Sequence, residues 1–243
     1  MKKILLVIGL LLLTGCSQEE KLGAYNFGAE NSLYAEFYWA TNGTATVIET
    51  ANKPIMIRQT TTGLLDGWTY NAGSTGSIAS YQTGTASASF TRVNDEGHGL
   101  ANGDIISIRG SSVAAQNGIW TVSSADTDFF DIGVAWDSDG GASDWDEGAY
   151  LLAGTNAAGN YAMTYEMAIT VAAADTLSIG AYINATACPK CITTRKFANN
   201  DVGSVTGSSV LTIADGDRVS LTVKSDSTTS VTVSQGNINL HKL

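Results

Sequence analysis

The sequence predicts an all-β protein, a β-sandwich closed by its own C-terminal strands. Three observations carry this. No segment sustains an apolar repeat of helical period. The C-terminal stretch instead alternates: Val219, Leu221 and Val223 are separated by Ser220 and Thr222 and flanked by Arg218 and Lys224, a period of two with one dry face. Composition agrees: 26 glycines and only 2 prolines in 243 residues, with 44% apolar and 15% charged residues, suit many short strands joined by Gly- and Ser-rich turns and do not suit a disordered chain.

Around that alternating strand the closing pair can be read in order. Val210, Leu211 and Ile213 lead into Ala214-Asp215-Gly216-Asp217, a turn by composition. A second turn from Ser225 to Thr229 leads to Val231 and Val233. Gly236 is expected to break the run before Ile238, Leu240 and Leu243. A chain that ends in a strand with one apolar face has its end tied into a sheet. This is the pattern of a binding or structural protein and carries no catalytic signature.

At the other end, Lys2 and Lys3 form a positive start, and Ile4 to Leu13 is an apolar run too short for a permanent membrane span. Leu13-Thr14-Gly15-Cys16 resembles a bacterial lipobox. That resemblance implies cleavage before Cys16 and a diacylglyceryl group on its thiol, and Ser17 in the next position implies the outer membrane. An ordinary signal peptide with a chance cysteine is the alternative. The formal charge is −10, and becomes −12 when Lys2 and Lys3 leave with residues 1–15. So acidic a chain repels phosphate backbones, which argues against nucleic acid as a partner.

After a polar tether over residues 16–24, Leu33 to Trp39 is aromatic and β-prone, and Asn42-Gly43 is a hairpin signal. Thr44 to Thr50 alternates, and Pro54 opens a short strand at Ile55 to Ile57. Residues 63–84 are rich in Gly, Ser and Thr, with Trp68, Tyr70, Ile78 and Tyr81 as anchors in a loop. The texture then changes. Phe90 and Val93 precede His98-Gly99-Leu100, Asn102-Gly103-Asp104, strand Ile105 to Ile108, Gly110, Asn117-Gly118, strand Ile119 to Val122, and Phe129 to Ile132. This order resembles a small β module of phage and bacterial surface proteins. That module is often labelled after the first catalytic cysteine half-domain of ubiquitin-activating enzymes. The resemblance implies a small β-barrel-like fold and no ubiquitin chemistry. Trp136 to Glu147 follows as an acidic, Gly-rich loop.

The first texture resumes at Tyr150. Tyr161, Met163, Tyr165 and Met167 share one face of a strand, Leu177, Ile179, Ala181 and Ile183 alternate in the next, and Cys188-Pro189-Lys190-Cys191 is expected in the loop after it. Gly159, Tyr161 and Tyr165, the strand ending at Asn184, and the run from Leu211 to Val223 resemble the jelly roll of complement component 1q heads and tumour necrosis factor. That resemblance implies a jelly-roll β-sandwich that associates as a homotrimer. The bulky Tyr34, Phe37, Tyr38 and Trp39 on one strand agree, since one of their two faces needs a cover. The expected organisation is a signal peptide over 1–15, a tether over 16–24, jelly-roll strands over 25–85, an inserted module over 86–150 and the rest of the jelly roll over 151–243.

Candidate chemistry is sparse. His98 and His241 are the two histidines, and neither has a nucleophile elbow or a cysteine context, so both read as structural or solvated. Asp137, Asp139, Asp144, Asp146 and Glu147 form the densest acidic run, and the four aspartates offer oxygen ligands suited to Ca²⁺; a solvated acidic loop is the other reading. Cys188 and Cys191 read as a local disulfide in an exported protein, with half a zinc site as the alternative. The function these features predict is a non-enzymatic, lipid-anchored outer-membrane or cell-surface protein. It displays a surface, as an adhesin does, to a glycan or protein ligand. The alternatives are a phage virion protein, such as a tail-fibre tip or head decoration, and a surface enzyme acting on polysaccharide through a carboxylate pair.

Overall fold

The alternating sequence becomes a molecule of antiparallel strands, with no helix among the described residues. The computed structural model describes residues 33–39, 46–48, 50–57, 61–84 and 87–243. The expected leader, tether and lipid-bearing Cys16 lie outside the described residues. In chain order the strands are β1 (Tyr34–Trp39), β2 (Thr46–Ile48), β3 (Ile55–Met56), β4 (Thr61–Asp66), β5 (Trp68–Asn71), β6 (Thr75–Ile78), β7 (Ser80–Thr83), β8 (Thr91–Asn94) and β9 (Ile105–Arg109). They continue with β10 (Gly118–Thr121), β11 (Phe129–Ile132), β12 (Ser143–Asp146), β13 (Tyr150–Ala153), β14 (Gly159–Val171) and β15 (Asp175–Ile183). Last come β16 (Thr186–Phe197), β17 (Val202–Ile213), β18 (Arg218–Ser225) and β19 (Thr229–Lys242).

Two large sheets make a sandwich. The first runs β17-β14-β19-β1-β4, with β2 also on β19; the second runs β16-β15-β18-β13-β5, with β3 also on β18. Their inner faces share one core. Tyr161, Met163, Tyr165, Met167, Ile169 and Val171 of β14 are buried in it with Leu177, Ile179 and Ala181 of β15, Val219, Leu221 and Val223 of β18, and Val231, Val233, Ile238 and Leu240 of β19. Each full burial of such a side chain stabilises by about 1.5–3 kcal/mol. The closing strand does not break at Gly236. It runs through, with Ser234 bulged between the pairs Ile169↔Val233 and Ala168↔Gln235, and the Ser234 hydroxyl donates to the Ala168 carbonyl at 3.2 Å. The bulge absorbs the extra residue, so both flanking stretches keep their apolar side chains inward.

Strands β6 to β12 stand between β5 and β13 in sequence and build two small sheets, β10-β9-β12-β6 and β11-β8-β7. Ile78, Tyr81, Val93, Ile106, Ile108, Phe130, Ile132 and Trp145 bury a second core between them. The pairing differs from the sequence reading in two places. The stretch 63–84 is not a loop: β6 pairs with β12, and β7 with β8, so the small sheets begin at Thr75 rather than at 86. The expected acidic loop over 136–147 contains β12, and Trp145 within it is 1% exposed. The indole N–H of Trp145 donates to Asp95 at 2.5 Å, and a Cβ at its register partner Gly76 would run into the ring. Gly76 hid β6 because it makes room for the Trp145 ring and supplies no apolar period, and β12 was hidden because Asp144 and Asp146 flank its one aromatic residue.

The chain leaves the second large sheet at β5 and returns to it at the adjacent strand β13. β5 pairs with β13, Asn71 opposite Tyr150, and the neck is tied where Ser74 N donates to Glu147 Oε2 at 2.8 Å. Met56, Ile105, Ala149 and Tyr150 are buried yet belong to neither core; they form the seam. Met56 is registered with Thr222, and Tyr150 with Ser220. Both partners sit on the outer face of the second sheet but are only 3% exposed, since β3 packs against β9 and β10. Arg218 fastens the seam: its guanidinium donates to Asp104 at 2.7 Å and lies 4.9 Å from the Tyr150 ring centre.

The Asp175 carboxylate ties the start of β15 to the end of β18. Burial pushes Asp175 up, but hydrogen bonds from the Ser225 and Ser227 hydroxyls and Thr176 N outweigh it, so its pKa lies below the usual carboxylate range. A carboxylate depressed in the fold adds stability that is present above its unfolded pKa of about 3.9 and lost as pH falls through the folded value. Urea midpoints should therefore fall as the pH drops below about 4, and Asp175→Asn should be less stable at neutral pH and show a flatter acid limb.

Candidate functional site

One face of the small sheet β10-β9-β12-β6 holds Ile78, Ile106, Ile108 and Trp145 in the second core. Strand alternation places Ser107 and Arg109 of β9, Asp144 and Asp146 of β12, and Ser77 of β6 on the opposite face. Register sets Arg109 opposite Asp144, and Asp144 opposite Ser77. At the Ser107 end this face is closed: the Ser107 hydroxyl donates to the Asp146 carbonyl at 3.1 Å, and Gly148 N donates to Asp146 Oδ1 at 2.6 Å. At the Arg109 end it opens into a groove of about 590 Å³, lined by Ser77, Arg109, Ser111, Ser143 and Asp144 together with Thr50 of the β2–β3 connection.

The walls are fixed. Ser111 N donates to Asn117 Oδ1 at 3.0 Å, Asn117 Nδ2 returns a bond to the Ser111 carbonyl at 2.8 Å, and the Ser111 hydroxyl donates to Gln116 Oε1 at 2.6 Å. Behind Ser143 the Tyr81 hydroxyl lies 2.5 Å from the serine oxygen. Burial pushes the Tyr81 phenol up to about 12, so it stays protonated at neutral pH. The charged pair at the mouth is looser. Arg109 Nη2 lies 3.8 Å from Asp144 Oδ2, beyond hydrogen-bond range. Asp144 Oδ1 accepts from the Ser77 hydroxyl at 3.2 Å. Arg109 Nε is buried and has no hydrogen-bond partner among the described residues.

The residues singled out in the sequence are dispersed. Asp139 accepts from Tyr81 N at 2.9 Å and from Gly141 N at 3.0 Å, which makes it a turn-forming carboxylate. Asp144 faces Arg109, Asp146 holds the neck, and Asp137 is exposed. Among the described residues no three His, Cys, Asp or Glu side chains gather as a metal site. His98 is 9% exposed; its Nδ1 accepts from Leu100 N at 2.9 Å, its Nε2 lies 3.3 Å from the Phe129 carbonyl, and its ring stands edge-on to Phe130. Both nitrogens thus serve the loop. His241 lies on β19 opposite Tyr34 and Ala162.

Cys188 and Cys191 form a disulfide with Cα atoms 5.2 Å apart, but inside β16 and not in a loop. Tyr182 pairs with Ala187, and Gly180 with Ile192, so four residues stand opposite Ala181 alone. The bridge closes that wide bulge, and a loop so short is worth about 2 kcal/mol in the chain-entropy account. Arg109, Ser77 and Ser111 escaped the sequence reading. The signal was there in Ile106-Ser107-Ile108-Arg109, whose alternation sends the arginine away from the core.

The chain matches no known protein family and no curated protein.

Proposed function

We propose that the chain is a non-enzymatic, exported binding protein. In this reading a lipid on Cys16 anchors a trimeric jelly roll that carries the inserted strands outward as its display surface. The observation that carries it is the strand order. The paths β17-β14-β19-β1 and β16-β15-β18-β13 alternate the later strands between two sheets, as in a jelly roll and in the tumour necrosis factor and complement 1q heads that the sequence resembles. Trimerisation draws support from what each outer face carries. The second sheet is covered at Met56, Ser220, Thr222 and Tyr150 by the insertion. The first sheet presents Ala162, Thr164, Glu166 and Ala168 of β14 beside Ser204, Thr206, Ser208 and Val210 of β17, mostly small side chains among which Glu166 is the one charge. Val202 and Val210, both on β17, are 65% and 54% exposed. A closed threefold arrangement would cover them without an open end and would set three anchors on one membrane.

The anchor has its own test. Labelled palmitate should enter the wild type in a bacterial host and fail to enter Cys16→Ser, which should leave the membrane fraction. A wild type that takes no label and fractionates as a free protein would sink the lipoprotein reading.

A further inference from the structure

The groove beside β9 and β12 has a chemistry of its own. We infer that it binds a saccharide bearing a carboxylate, with the carboxylate on Arg109 and the sugar hydroxyls on Asp144 and Ser77. This rests on the reading of the chain as a binding protein and names the site and the ligand class.

Four features converge on it. A guanidinium presents its donors as a planar fork that matches a carboxylate with two parallel hydrogen bonds. In Arg109 the fork is offered by the terminal nitrogens, since Nε is buried, and among the described residues only the carboxylate of Asp144, beyond hydrogen-bond range, faces them. Its neighbour Asp144 is 3.8 Å away and 53% exposed, so it restrains the arginine without occupying it. Asp144 Oδ2 offers an acceptor to a sugar hydroxyl, and the Ser77 oxygen, whose proton goes to Asp144 Oδ1, offers a second. Third, four of the nine lining residues carry hydroxyls and two carry charges of opposite sign, with Ile78, Gly110 and Ala142 as the apolar remainder, which suits a sugar with its polar edge and apolar ring face. Fourth, the volume of about 590 Å³ lies in the range of small-ligand clefts, with room for one or two sugar rings. The sign of the anion follows from Asp144. A carboxylate bearing one charge is tolerated beside it, whereas a phosphate dianion meets stronger repulsion, and the chain's net charge of −10 adds to that bias against polyanions.

The rigid walls add to the case. Ser111 is locked by Asn117 and Gln116, so binding orders little beyond the Arg109 and Asp144 side chains, and such preorganisation favours affinity.

Calorimetric or NMR titration of the mature, lipid-free chain with a glucuronate-containing disaccharide, its neutral glucose counterpart and inorganic phosphate tests the inference. The acidic disaccharide should bind with a Kd of about 1 mM or tighter, and the neutral one and phosphate at least about tenfold more weakly. Arg109→Gln should remove the preference without moving the melting temperature, and Arg109→Lys should restore only part of it, because a lysine lacks the fork. If the arginine variants fail to fold, Asp144→Asn serves instead: by removing the charge that disfavours the dianion it should narrow the gap between the disaccharide and phosphate, and an unchanged gap would count against the site. Equal affinity for acidic and neutral sugars, binding retained in Arg109→Gln, or no saturable binding by the wild type would overturn the site. A trimeric, anchored chain that binds none of these ligands removes this site alone, and a monomer that binds the acidic sugar removes the trimer alone.

Discussion

Tyr165→Ala is expected to lower the stability of the chain by about 3–5 kcal/mol, the range for deleting a large buried ring. Tyr165 sits at the middle of β14, 2% exposed. Its hydroxyl lies 2.9 Å from the Ile179 carbonyl, 2.9 Å from Thr193 Oγ1 and 3.2 Å from the Cys191 carbonyl. Thr193 in turn donates to the Thr206 carbonyl at 3.0 Å. One side chain therefore ties β14 to β15 and β16, and through Thr193 to β17, across the open side of the sandwich. Its register partner is Gly207, where an added Cβ would run into the ring. Gly207→Ala should accordingly cost about 1–3 kcal/mol in the wild type through overpacking. In the Tyr165→Ala background the space is free, and the same change should be neutral or mildly stabilising. Urea unfolding of the four proteins gives the coupling. Additive effects would mean that the ring does not lie over Gly207.

Replacing residues 74–147 with a short Gly-Ser bridge should leave the large sandwich folded and cooperative. Asn71 and Tyr150 are direct partners, so the bridge only has to close a hairpin, and no residue of the larger core is removed. The cost falls on the seam: Met56 and Tyr150 become exposed and Arg218 loses Asp104. Reduced solubility is the expected side effect, repaired by Met56→Ser. The urea m-value should fall with the area no longer buried. Removing 86–150 instead should yield an aggregating chain, because it takes Tyr150 from β13 and strands β6 and β7 without partners. A bridge over 74–147 that abolishes the cooperative melt would mean that the two cores fold only together.

Where residues alternate strictly, the fold was legible in the sequence. β14, β15 and β18 carry their apolar residues at every second position, β19 does so on either side of its bulge, and those residues fill the core. Strands β6, β7 and β12 were not legible, since Gly76 contributes space and Asp95 a hydrogen bond to Trp145, a partner distant in sequence, and no local period reports that. Likewise, the CPKC stretch reads as a turn by composition, yet the sheet continues past it because the bridge closes the bulge. The seam was hidden for the same kind of reason. Ser220 and Thr222 look solvent-facing in an alternating strand, and only the packing of β3, β9 and β10 on that side buries them. The groove was hidden because Ser77, Arg109 and Asp144 come from three separate stretches and meet only when β6, β9 and β12 are side by side.

The mass of the mature, lipid-free chain by light scattering at micromolar concentration tests the central claim most directly. The proposed assembly predicts the mass of three protomers, reduced to one by Val210→Asp on the exposed face of β17 with little change in the melting temperature; a wild-type chain that runs as a single protomer under the same conditions would contradict it.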